Sequence, residues 1–162
     1  MLKRIALLCV LLPVLALAAW YTIAFLPHLA SVKASSARGL AALGDAGRLL
    51  AEAHASPREM RTWAVRQSYA TAHPQGPRNG MGVWHANNLL WYGASFIHFS
   101  NAEIRGVWTD CAIGPCGQGL PSAAQRYLGK SLHAVSPHEM AALVAYTRHP
   151  ARNMPVADAP PR

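Results

Sequence analysis

A mostly α fold, with one membrane-spanning helix ahead of a small helical domain, follows from three features of the 162-residue sequence. Residues 5–26 contain no charged side chain, two Ser-x-x-Glu helix starts punctuate the second half, and nowhere does apolar and polar character alternate for long with the period of two that a half-buried strand requires. Composition narrows the class further. With 52 % hydrophobic and 14 % charged residues the chain as a whole is not disordered. Three cysteines are too few to staple a disulfide-dense miniprotein.

Lys3 and Arg4 precede the apolar run. A hydrocarbon core about 30 Å thick takes about 20 helical residues, so residues 5–26 are long enough to cross it. Pro13 removes one backbone bond, which membrane helices tolerate, and Trp20 and Tyr21 suit a headgroup zone. The basic pair before the run, with nothing comparable directly after it, predicts a single-pass protein of the inner (cytoplasmic) membrane whose C-terminal domain is periplasmic or otherwise extracytoplasmic. A cleaved signal peptide ending near Ala16-Leu17-Ala18 is the rival; the run continues through Tyr21, Ile23 and Phe25, longer than a usual signal core. The organisation expected is a membrane anchor at 1–30, a helical domain at 31–150 and an extended, proline-rich tail at 151–162.

Residues 31–59 are rich in Ala, Leu and Arg, and Leu40, Leu43, Leu49 and Leu50 could share one side of helices interrupted at Gly39, Gly44 and Gly47. Met60, Trp63, Ala64 and Gln67 recur at spacings of three and four, which predicts a short helix over 59–69. Two prolines and two glycines then break the chain across 73–80. Residues 88–99, with Leu89, Leu90, Trp91, Phe96, Ile97 and Phe99, are expected to form a buried helix. Ser100-Asn-Ala-Glu103 opens the next, with Ile104, Val107 and Trp108 on its inner side. A helix from 122 to 128 stops at Gly129, and Ser136-Pro-His-Glu139 opens the last, ending before His149-Pro150.

Beyond Lys3 and Arg4 the chain keeps thirteen basic and seven acidic residues, a net charge of +6. That charge attracts anionic lipid or other phosphate-bearing partners, or simply keeps the body soluble; no recognition motif points to nucleic acid. In an exported chain Cys111 and Cys116 could close a small disulfide loop or remain free buried thiols. The eight histidines are scattered, without ligand spacing, so no metal site is read from them.

Gly119, Ala123, Ala124, Tyr127, Gly129, Lys130, Val135, Ser136, Glu139, Ala141 and Leu143 stand in an order and spacing that resembles the closing segment of the peptidoglycan glycosyltransferases, the family 51 transglycosylases. Upstream, Phe99-Ser-Asn-Ala-Glu-Ile104 is similar to that family's Leu-Ser-Lys-Asp-Glu-Ile, and Trp108-Thr-Asp110 sits where its Tyr-Leu-Asn would be. The matched part covers residues 99–150, about a third of the chain. The resemblance implies a lysozyme-like lobe behind a membrane helix, working on a lipid-linked disaccharide or peptidoglycan glycan in cell-wall biogenesis, with other cell-wall enzymes as further partners.

By the same resemblance Glu59 would be the general base on the acceptor hydroxyl, and Arg61, Arg66, Arg78 or Lys130 would steady the pyrophosphate leaving group. The match is partial there. Around Glu59 the family's Glu-Asp-x-x-Phe-x-x-His reads Glu-Met-Arg-Thr-Trp with Arg66 for the His, and Trp84, His85 and Asn88 fall on its Arg-Lys-x-x-Glu, with Asn88 in the place of a second glutamate. Glu59, between Arg58 and Arg61, also reads as a solvated carboxylate. A divalent metal at the pyrophosphate is implied by the resemblance alone. Two functions are therefore expected, a membrane-anchored glycosyltransferase or a non-catalytic accessory module binding glycan or lipid carrier, with lysozyme-like hydrolysis a weaker third because no second carboxylate completes the pair.

Overall fold

In the computed structural model residues 2–53, 56–74, 80–113 and 116–148 are described, apart from the side chains of 2–7, 51, 52 and 148. Arg78 and the tail at 151–162 lie outside them. Every regular element among the described residues is helical, and the chain divides into two compact units, Met1–Val32 and Lys33–Arg162.

The first unit contains α1 (Leu2–Trp20), a π-helical turn (Tyr21–Phe25) and the start of α2 (Leu26–Leu43). Large apolar side chains from Leu8 to Leu17 stand exposed around α1, as expected of a helix solvated by something other than water. Pro13 sits inside it without ending it. Thr22 Oγ1 donates back to the carbonyls of Ala18 and Ala19, both 3.0 Å away, where the π turn loosens the ladder. One helix, Leu8–Leu50, is long and apolar enough to cross a membrane: its most apolar stretch has mean hydropathy 2.2 and is 6 % buried. A signal sequence shares that length and composition.

The second unit continues α2 and adds a 3-10 turn (Gly44–Ala46), α3 (Gly47–Glu52), α4 (Pro57–Ala72), α5 (Met81–His98), α6 (Asn101–Cys111), α7 (Leu120–Ala123) with a π turn to Leu128, a 3-10 turn (Leu132–Ala134) and α8 (Pro137–Arg148). Its centre is α6, which buries Ile104, Val107 and Trp108 as its spacing predicts, together with Thr109, Asp110 and Cys111. α4 packs on α6 and α5, and α3 on α8. Both expected capping boxes form. Ser100 and Glu103 exchange bonds at the start of α6, and the Ser136 N–H donates to Glu139 Oε2 at 2.9 Å while the Glu139 N–H returns to Ser136 Oγ at 3.1 Å. Gly129, at φ 67°, closes the turn after residue 128 as a left-handed stop.

Three readings of the sequence are corrected. Gly39 does not interrupt a helix: it lies within α2, and a Cβ there would stand 1.8 Å from the Gly106 carbonyl oxygen, so the pair of glycines lets α2 and α6 touch backbone to backbone. Leu40 is partly exposed instead of sharing the buried side with Leu43 and Leu50. α5 is not buried: it begins at Met81, and one side of it, including Leu89, Phe96 and Ile97, is open. Asp110 pairs with Arg38, 2.8 Å away, and accepts from Ser35 Oγ, because the Gly39–Gly106 contact brings α2 against its face of α6. Cys111 and Cys116 are disulfide-bonded.

Candidate functional site

Arg58, Thr62 and Arg66 recur every fourth residue along α4, and Trp84 or His85, Asn88 or Leu89, and Tyr92 recur likewise along α5. Such spacing places each set on one side of its helix. The two sides face each other across a cleft of about 400 Å³, floored by Val65. Ser56 caps α4, its side chain accepting from the Glu59 N–H, and Pro57 occupies the first turn, so the end carrying Arg58 is held in place.

Aromatic packing fixes the walls. Tyr69 stacks on His73 at 4.4 Å between ring centroids and meets Trp84 and Trp91 edge-on at 6.3 and 5.5 Å. Burial raises the Tyr69 phenol above its ordinary pKa. The Arg66 guanidinium lies 5.4 Å from the Trp84 ring and 5.7 Å from Trp63, an exposed cation held over two indoles. Asn88 donates to the Trp84 carbonyl at 2.9 Å, while its Oδ1 is buried without a hydrogen-bond partner among the described residues. A buried carbonyl oxygen left so is an acceptor that a ligand hydroxyl or N–H would satisfy.

Of the described residues expected from sequence, only Arg66 lines this cleft, together with Trp84, His85 and Asn88 from the partial motif match. Glu59 is exposed in the first turn of α4 and is not among the lining residues. Arg61, on the other side of the same helix, is 4 % exposed and is committed to protein acceptors. It donates to Ser95 O (2.7 Å), Ser95 Oγ (3.1 Å), Phe99 O (3.2 Å) and Asn101 Oδ1 (3.0 Å), and lies over the Phe96 ring at 4.3 Å. It thus gathers the carbonyls at the C-terminal end of α5, that of Ser95 also accepting the Phe99 N–H at 3.1 Å; burial lowers its pKa. Lys130 reaches Glu139 Oε1 at 2.7 Å, the carboxylate of a fully buried residue and part of the second capping box. Arg78 lies outside the described residues. Arg58, Thr62 and Tyr92 were not singled out from sequence, although their four-residue spacing is legible there.

Among the described residues the lining offers two guanidinium groups, aromatic faces, an unsatisfied amide oxygen and an imidazole, and no carboxylate. Guanidinium groups recognise phosphate oxygens in bidentate fashion, and aromatic faces take the apolar side of a sugar or lipid. No family model, curated protein or solved structure matches this chain. The site must therefore be read from its own chemistry. A divalent ion does not fit these residues, since such ions take oxygen ligands with carboxylates foremost. Among the described residues no group of three or more His, Cys, Asp or Glu side chains gathers.

Proposed function

We propose that the chain is a membrane-anchored accessory module of cell-wall assembly that holds the phosphate-bearing head of a lipid-linked saccharide in the α4–α5 cleft without turning it over. The observation that carries the reading is that Arg58, Arg66 and the unsatisfied Asn88 oxygen line one cleft whose described lining has no carboxylate. Phosphate needs the cations, a hydroxyl needs the acceptor, and glycosyl transfer needs a general base that this lining does not supply as a carboxylate. The long apolar helix fits an anchor at the inner membrane, where a lipid-carried ligand is concentrated in two dimensions. The resemblance across residues 99–150 supports a shortened lysozyme-like lobe as the ancestry of the body.

The alternative is an active glycosyltransferase with Glu59 as base. Its support is the partial motif match; against it stands the exposed position of Glu59 outside the cleft. Incubating the full-length protein with labelled lipid-linked disaccharide separates the two. The module reading expects binding without polymer from both wild type and Glu59→Gln, and affinity lowered at least ~10-fold in Arg66→Ala through loss of a charge-assisted phosphate contact. Polymer from wild type that disappears in Glu59→Gln establishes the enzyme instead, and absence of both binding and product removes both readings.

A further inference from the structure

α5 has a second face that the cleft does not use. Its 18 residues include no Asp, Glu, Lys or Arg, and only Trp91, Ala94 and Ser95 are buried. On the opposite side Leu89, Phe96 and Ile97 are 70 %, 60 % and 78 % exposed. Positions 82, 86, 89, 93, 96 and 97 follow at helical spacing and carry Gly, Ala, Leu, Gly, Phe and Ile. At Gly82 and Gly93 nothing stands within 4 Å of a built Cβ, so no described residue covers the stripe there. The result is an uncharged surface strip running the length of a helix about 27 Å long. A body left in water would rarely keep so continuous an apolar strip uncovered.

We propose that this stripe lies in the lipid–water interface of an anionic membrane, giving the body a contact with the bilayer in addition to the N-terminal helix. Three observations select lipid as the occupant. Leu89 belongs both to the stripe and to the cleft wall, so the exposed Arg58 and Arg66 border the apolar strip on one side, at the place where phosphate headgroups would meet them. His85 and the half-buried Trp84 and Tyr92 stand between apolar strip and cations, the amphipathic order that an interface presents. The chain also carries a helix long and apolar enough to span a bilayer, which would keep this partner within reach at all times. A second copy meeting the stripe about a twofold axis would bring two such cationic borders together, which like charge opposes. The proposal does not depend on what the cleft binds.

Depth measurement on the full-length protein in vesicles containing a quarter anionic lipid tests it. In a Cys9→Ser background, an environment-sensitive fluorophore is placed through Leu89→Cys or Ile97→Cys, and, as reference, through Gln125→Cys at an exposed site on the turn after α7. Labels at 89 and 97 should be quenched by nitroxide-bearing lipid at least ~5-fold more than the label at 125, with aqueous iodide giving the reverse order. Adding Gly93→Glu to the 97-labelled protein should abolish the lipid quenching while leaving the melting temperature in place, since no described atom stands within 4 Å of a Cβ built there. Iodide access at 89 and 97 equal to that at 125 overturns the proposal. So does protection from both quenchers with label–label self-quenching that rises with protein density, which assigns the stripe to a second copy. Equal lipid quenching in purely zwitterionic vesicles overturns the anionic part.

Discussion

α5 and α6 are consecutive helices with opposite fates. α5 contains no Lys, Arg, Asp or Glu and buries three of its 18 residues, whereas α6 contains Glu103, Arg105 and Asp110 and buries seven of its 11. Apolar content alone would have exchanged them. The difference lies in neighbours: Gly106 lets α2 close on α6 at backbone contact, and α4 covers another side. The two carboxylates of α6 are then each met by a cation, Glu103 by Lys33 at 2.6 Å and Asp110 by Arg38 at 2.8 Å, while Arg105 stays exposed. Burial in this molecule follows from how closely backbones can approach, and the apolar excess of α5 is left over as surface.

The contrast breaks most readily at the helix contact. Gly39→Leu should cost more than ~4 kcal/mol or prevent folding, because its Cβ has no room beside the Gly106 carbonyl and both groups belong to rigid helices; denaturant titration followed by circular dichroism measures it. Trp108→Ala, emptying the middle of α6, should cost about 3–5 kcal/mol by the same measurement. Glu139→Gln leaves Lys130 without its carboxylate and weakens the α8 cap, so a loss of about 2–3 kcal/mol is expected, less than for a wholly buried pair because Lys130 is a third exposed.

A smaller effect comes through pH. The Lys33 ammonium and the Ser100 N–H hold the Glu103 carboxyl at about 2, below its ordinary 4.5. A carboxyl lowered on folding stabilises the native state fully above its unfolded value and loses that contribution as pH falls from about 4.5 toward 2. With the pair partly open to solvent, about 1 kcal/mol is at stake. Comparing thermal midpoints of wild type and Glu103→Gln down an acid series should show a gap that closes near pH 2. Ile97→Ala, on the open side of α5, should change stability by less than about 0.5 kcal/mol in detergent. A cost near that of Trp108→Ala would mean that the stripe is core after all.

The arginines of α4 show where the sequence stopped speaking. Arg61 and Arg66 lie five residues apart and look alike as candidate phosphate ligands. Five residues is well over one helical turn, so they emerge on different sides of the helix: one is drawn into the end of α5, the other faces the cleft. Lys130 was read as a ligand for substrate, and the tertiary fold brings it to Glu139 instead.

Local chemistry was legible from the residues themselves. The capping boxes at Ser100 and Ser136, the left-handed stop at Gly129, the N-terminal apolar helix and the inward side of α6 each depend on a few neighbours in the chain, and short-range sterics and hydrogen bonding settle them. Which side of α5 would stay open, which arginine would be buried, and that Gly39 marks a contact and not a break were decided only when distant segments met. Those outcomes rest on close approach between helices separated by tens of residues, a quantity that no local pattern of side chains encodes.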